Sequence, residues 1–220
     1  YKLDAQRWRV FGDVETPSPS DIYQGFVFAA HEGELHIITR QYEPLAYRIA
    51  RDGGWEDVIS KEDAPAALNA LGLSGDAVVE AAAIDGSGVL HAFFRDGAVA
   101  RWGGDGWSLV AGSDEATFKV RQGFCVAWHD VLECFVAWGG EVKNRASNHT
   151  FYLGEAGWKK EKKSSPRLAK ERTDGARLMR DTAYIVFDSH TRTLLRFRFA
   201  EVSVFENGVW VERTPTGYEQ

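Results

Sequence analysis

Five tryptophans recur at nearly constant spacing, and this constrains the fold more than any other feature. They are Trp8, Trp55, Trp107, Trp158 and Trp210, separated by 47, 52, 51 and 52 residues. Self-similarity at a fixed period of 20–50 residues is the mark of repeat architectures. Each indole from Trp55 onward follows a turn-like stretch: Arg51-Asp-Gly-Gly54, Gly103-Gly-Asp-Gly106, Glu155-Ala-Gly157 and Glu206-Asn-Gly-Val209. Glycine and Asn/Asp between short apolar runs mark tight hairpins, because they tolerate positive φ. An aromatic precedes each turn: Tyr1, Tyr47, Trp102, Tyr152 and Phe205. Each phrase therefore reads as strand, turn, Trp-led strand.

A second hairpin precedes each complete phrase, over Phe26–Arg40, Val78–Arg95, Gln122–Trp138 and Thr182–Phe199. Its turns centre on His31-Glu-Gly33, Asp85-Gly-Ser-Gly88, His129-Asp130 and Asp188-Ser-His-Thr191. Runs such as Phe26-Val-Phe-Ala-Ala30 are apolar at every position, which predicts strands buried on both faces. Two hairpins per period give four antiparallel strands. Four strands cannot bury both their faces alone, whereas radial stacking of successive sheets does so. The expected fold is all-β: a β-propeller of four-stranded antiparallel blades, four full blades plus part of a fifth. The blades span 22–60, 78–111, 122–162 and 181–213 within one domain of 220 residues, with 1–12 as the partial blade.

The residues resemble the kelch-type propeller repeat. The third unit carries Gly139-Gly140 after its second strand, then Tyr152, Trp158 and Pro166-Arg167. The fourth has Phe187-Asp188-Ser189, Phe205 and Trp210. Units one, two and four lack the Gly-Gly pair, and unit two has Trp102 in place of the tyrosine. The resemblance implies a partner-binding face made of the loops between blades and between second and third strands. The longest are Ser60–Ala77, with a helical turn over Ala64–Leu71, Glu141–Asn148 and Lys163–Arg180. The partial blade leaves an open edge, a liability for a sheet protein. Either the chain is five-bladed with a reduced first blade or it is a piece of a larger ring, and the open edge points to a missing segment or a partner strand. The chain begins at Tyr1 rather than Met, which suggests processing or an excerpted domain and hides any signal peptide.

The net charge is −6 and no apolar run approaches the ~20 residues of a membrane helix, which argues against a nucleic-acid binder and against a span. The segment 159–180 carries nine basic residues against three acidic ones. Lys162, Lys163, Arg167, Lys170 and Arg172 within it form a candidate landing site for an anionic protein or glycan, set against the reading of a solvated loop. No aromatic platform for single-stranded nucleic acid is interleaved there.

A second repeat lies inside the first. Tyr23-Gln-Gly-Phe-Val-Phe-Ala-Ala-His31 parallels Arg121-Gln-Gly-Phe-Cys-Val-Ala-Trp-His129, with five of nine positions identical at a distance of 98. Gln24 and Gln122 offer paired amides to a small polar ligand, with Tyr23, Arg121, Arg180 and Asp181 around the same opening. The competing reading is that each Gln serves a backbone group while the glycine permits close approach. The histidines at 31, 36, 91, 129, 149 and 190 show no metal-ligand spacing, so no metal and no cofactor is expected. A two-residue turn at His129-Asp130 would set Cys125 opposite Cys134 and permit a cross-strand disulfide; two buried thiols are the alternative. Asn148-His149-Thr150 is a glycosylation sequon. With no nucleophile elbow, phosphate loop or dinucleotide fingerprint, the reading leans to a non-catalytic propeller binding a protein or glycan. The alternatives are an enzyme acting on a sugar-like substrate at the channel mouth, mutarotase- or oxidase-like, and a structural fragment of a larger propeller.

Overall fold

A computed structural model of the chain describes residues 25–41, 43–51, 54–114, 116–143, 145–147, 149–162, 184–188, 191–198 and 201–213. Four antiparallel sheets follow one another along the chain. The first holds β1 (Phe26–His31), β2 (Glu34–Thr39), β3 (Tyr47–Arg51) and β4 (Gly54–Ile59). The second holds β5 (Val79–Ile84), β6 (Leu90–Phe94), β7 (Val99–Trp102) and β8 (Trp107–Ala111). The third holds β9 (Gln122–His129), β10 (Cys134–Val142), the short β11 (Arg145–Ala146), β12 (Thr150–Gly154) and β13 (Gly157–Lys160). The fourth holds β14 (Tyr184–Asp188), β15 (Thr193–Arg198), β16 (Glu201–Glu206) and β17 (Val209–Glu212). Strand order follows chain order in the first, second and fourth sheets, and β11 only extends the β10–β12 side of the third. The fold is all-β, of the propeller class, with four four-stranded blades. The partial blade expected over 1–12, and Trp8 with it, lies outside the described residues.

Trp55, Trp107, Trp158 and Trp210 each sit on the last strand of their sheet. Trp55 lies opposite Ala50, Trp158 opposite Leu153, and Trp210 opposite Phe205. The turns before them are tight: Asn207 and Gly208 adopt φ of 51° and 84°, the paired left-handed conformation of a two-residue hairpin. Trp107, Trp158 and Trp210 are buried, whereas Trp55 is half-buried with the Arg48 guanidinium 5.5 Å from its ring.

The chain divides into two compact units, one built on β1–β8 and one on β9–β17. In the first, β1 lies beside β5, and the Val79 amide donates to the Arg40 carbonyl at 2.9 Å. An Arg40–Glu80 ion pair reinforces this join, with the Glu80 side chain fully buried. His36 Nδ1 and the Tyr47 hydroxyl lie 2.7 Å apart, and the Tyr47 ring meets Trp102 and Trp107 edge-on at 5.3 and 6.0 Å. Burial pushes the Tyr47 hydroxyl up to about 12. Between the sheets, helix α1 (Ala64–Ala70) fulfils the expected helical turn: Pro65 opens it and Ala64 and Leu68 face inward.

In the second unit the core is Ala127, Val136, Trp138, Ile185, Leu194, Phe205 and Trp210, drawn from both sheets. The buried Arg196 lays its guanidinium 4.4 Å from the Trp138 ring and donates to Ser203 Oγ at 2.6 Å. A second cluster centres on Phe118, within 5.1 Å of Phe124, Phe151 and Trp158, whose indole N–H donates to the Gly97 carbonyl at 2.7 Å.

Two expectations are corrected. Burial on both faces holds for β6, whose five residues are all buried, but not for β1. There Val27 and Ala29 are buried while Phe28 is 62% exposed, the alternation of a strand covered on one face. The cysteines also do not face each other. The β9–β10 turn takes four residues, Asp130–Glu133, so His129 stands opposite Cys134 and Cys125 opposite Trp138. The two thiols share a face four positions apart, roughly 13 Å along the strand, and both are free. The turn is longer than the two residues expected, and Glu133 holds its left-handed position (φ 48°) with no glycine to mark it.

Candidate functional site

The seam between the third and fourth blades, inside the second unit, opens into a groove of about 610 Å³. Most of its residues come from strand ends and the turns beyond them, with Tyr152 and Phe205 from within β12 and β16 and Glu161 just after β13. His129 ends β9 and Cys134 opens β10 opposite it. Thr193 opens β15 opposite Asp188, the matching place in the fourth blade. Val131 and Leu132 come from the β9–β10 turn, Arg192 from the β14–β15 turn, and Asn207 and Gly208 from the β16–β17 turn. In a meander, turns between first and second and between third and fourth strands leave the sheet at one end. The loops that the resemblance implicated leave at the other end.

The floor is aromatic. Phe205 lies 6.3 Å from Tyr152 and 6.2 Å from His129, and Phe187 lies 5.6 Å from His129. The Tyr152 hydroxyl donates to Glu161 Oε2 at 2.8 Å, and the Glu161 amide is tied to the Thr150 carbonyl at 2.9 Å. Gly208 closes over this pair: a Cβ there would lie 2.9 Å from Glu161 Oε2, and its φ of 84° is one that side chains avoid. The Thr193 hydroxyl donates to the Phe205 carbonyl at 2.7 Å, which pins the first hairpin of the fourth blade to its second. Val131 and Leu132 are half exposed at the rim, and Arg192 is exposed.

Burial sets the ionisation of these groups. Desolvation lowers the His129 pKa, against opposing contributions from a backbone hydrogen bond and Asp130, so the ring is neutral at pH 7. His129 is 7% exposed, and its Nδ1 is buried with no hydrogen-bond partner among the described residues. Desolvation also raises the Cys134 thiol. It raises the Tyr152 hydroxyl as well, with the Glu161 carboxylate adding to the effect. The groove thus holds imidazole, thiol and phenol groups shifted toward their neutral forms, beside the side chains of Glu161 and Arg192.

Of the residues singled out from sequence, Tyr23, Gln24, Lys163, Arg167, Lys170, Arg172, Arg180 and Asp181 lie outside the described residues. Arg121 is buried: Nε and Nη2 donate to the Phe118 carbonyl at 2.9 and 2.6 Å, and Nη1 donates to Gly139 at 2.7 Å. Its guanidinium stacks 4.7 Å from Phe118 and 4.2 Å from Phe151, and desolvation brings its pKa down to about 10. Gln122 opens β9 half-buried, opposite Glu141, and Lys162 is exposed. None of these three lines the groove. The Gln-Gly-Phe repeat has a backbone reason. Gly25 and Gly123 adopt φ of 70° and 67°, yet a Cβ on Gly123 would meet nothing within 4 Å. The glycine is required by conformation and not by crowding.

Among the described residues no three His, Cys, Asp or Glu side chains gather as a metal site, and no helix is long and apolar enough to cross a membrane. No protein-family profile matches the chain, and no curated protein matches it. Solved structures do. The extracellular domain of a hybrid two-component system from B. thetaiotaomicron matches at 9% identity and TM-score 0.48, over 86% of this chain and 21% of that one. YCF48 from Cyanidioschyzon merolae matches at 12% and 0.46, over 93% and 60%. The Malassezia sympodialis allergen Mala s 1 matches at 13% and 0.45, over 82% and 59%. The chain spans between about a fifth and three-fifths of the length of these structures. At such identities the likeness concerns the fold alone.

Proposed function

We propose that this chain is a non-catalytic binding module of kelch-like type that seats a segment of a protein partner in the groove between its third and fourth blades. One observation carries the reading. Three of the ionisable side chains there, His129, Cys134 and Tyr152, are shifted toward their neutral forms, beneath an apolar rim and beside Glu161 and one exposed cation, Arg192. A nucleophile or general base needs a lowered thiol or a pKa near the working pH. A binding groove needs apolar area with a few placed polar groups. A protein segment is favoured over a glycan because the exposed apolar surface is aliphatic, Val131 and Leu132, while Phe205 is too buried to offer a stacking face to a sugar ring. The basic run at Lys162, Lys163, Arg167, Lys170 and Arg172 is proposed as a separate attraction for anionic partners. Tyr23, Gln24, Arg121, Gln122, Arg180 and Asp181 are proposed to contribute to binding of a small polar ligand.

The test is selection of phage-displayed peptides on the immobilised chain, alongside a glycan array. The selected peptides should bind Leu132→Asp and Arg192→Glu at least about tenfold more weakly than the parent, as truncated anchor contacts do. Peptides bound equally by parent and variants would move the site elsewhere, and enrichment on the glycan array alone would replace the protein partner by a glycan.

A further inference from the structure

The outermost strands of the four blades differ in a way that the groove does not explain. Among the described residues each ends its sheet with one unpaired edge, a template for strand addition. Three of these edges carry charge. β4 exposes Glu56 and Asp57, β13 exposes Lys159 and Lys160, and β17 exposes Glu212. Charged edge residues are the usual protection against edge-to-edge pairing. β8 carries no charge of its own, although Arg101 Nε of β7 donates to Ser108 Oγ at 3.3 Å. Ser108, Leu109 and Val110 are all exposed, Leu109 at 44% and Val110 at 49%, and the strand Trp107–Ala111 contains no charged residue.

We propose that β8 is an association edge at which two copies of this chain pair antiparallel about a two-fold axis, continuing the second blade of one copy into that of the other. A strand meeting its own copy through a two-fold axis must pair antiparallel, and the contact is isologous. With the axis at Leu109, Leu109 meets Leu109, Ser108 meets Val110, and Trp107 meets Ala111. Every cross-strand pair is then apolar or hydroxyl-bearing. The same operation on β4 or β13 would oppose carboxylate to carboxylate or ammonium to ammonium, which destabilises a pair. Self-complementarity of charge therefore admits a second copy as the occupant at β8 and disfavours it at β4 and β13, while β17 differs from β8 by its exposed Glu212. A five-residue pairing covers well under the ~1,200 Å² of a stable interface, so association is weak and concentration-dependent.

Sedimentation velocity across about 1–300 µM, the range bracketing a weak dimer, tests this. The parent chain should move from the monomer mass toward twice that value. Leu109→Lys and Leu109→Glu should each weaken association by about tenfold or more, because like charges then meet on the axis. An equimolar mixture of the two should restore it, since the facing charges become opposite. Val131→Lys, at an exposed aliphatic of the groove rim, should leave it unchanged. A parent chain that stays monomeric throughout, a Leu109 variant that still dimerises, a mixture that does not recover, or loss of association in Val131→Lys would each overturn the proposal. Restoration in the mixture cannot arise from misfolded variants. Peptide binding by the groove is read separately, so either proposal can fail alone.

Discussion

His31 and His129 end the same nine-residue phrase, yet their surroundings are opposite. Both close the first strand of a blade, and a left-handed glycine stands just before one strand, Gly25, or second in the other, Gly123. His31 is exposed, with Glu32 at 3.9 Å and the turn at Gly88 beside it. His129 is buried beside Phe187 and Phe205. The difference lies in the neighbouring blade of each unit, which presents a glycine turn to the first histidine and aromatic rings to the second. A repeat thus fixes where a residue stands in its own blade. The next blade decides whether it becomes surface or site.

The comparison can be broken most forcefully at the periodic tryptophans. Trp210→Ala removes an almost fully buried indole from the second unit's core and should cost about 3–5 kcal/mol in urea denaturation. Trp55→Ala removes a half-buried ring held by Arg48 and should cost about 1 kcal/mol. Equal costs would mean that the two indoles share one environment.

Next in size is the histidine pair. His129→Phe relieves a buried polar atom of its missing partner, so it should be neutral or stabilise by up to about 1 kcal/mol at pH 7. Its effect should grow on acidification. A folded pKa below the ordinary value of 6.5 means that the unfolded chain binds the proton first. The contribution of His129 therefore turns against folding as pH falls through 6.5 and on toward the folded value. His129→Phe should flatten the loss of stability between about pH 7 and 5, with His36 and His149, also lowered by desolvation, supplying the remainder. An unchanged pH slope in the variant would place His129 in water. His31→Phe should change stability by less than about 0.5 kcal/mol at pH 7.

The smallest effect concerns the thiols. Burial pushes Cys125 up to about 12, so a thiol reagent should label it slowly in the folded chain, and both cysteines should react on denaturation without reductant. A pair that reacts only after reduction would restore the disulfide.

What was legible in the sequence follows from the same contrast. The tryptophan period and the Gly-bearing turns could be read because an indole opposite a tight hairpin depends on its own blade alone. The four-residue turn at Asp130–Glu133 could not, because Val131 and Leu132 look like strand and the left-handed position is held by a glutamate. The exposed face of β1 was missed because an apolar run does not say which of its faces has a neighbour. The groove joins residues from His129 to Gly208 across two blades, so no local pattern could announce it. The one signal within reach was the second of the paired histidines, marked in the sequence as a turn residue.

Nuclear Overhauser contacts from the His129 ring test the central claim most directly. Cross-peaks are expected from its carbon-bound protons to the rings of Phe187 and Phe205, whose centroids lie 5.6 and 6.2 Å away. Cross-peaks confined to the β9–β10 hairpin, with Phe187 and Phe205 silent, would mean that the fourth blade does not pack on the third and that the groove does not exist.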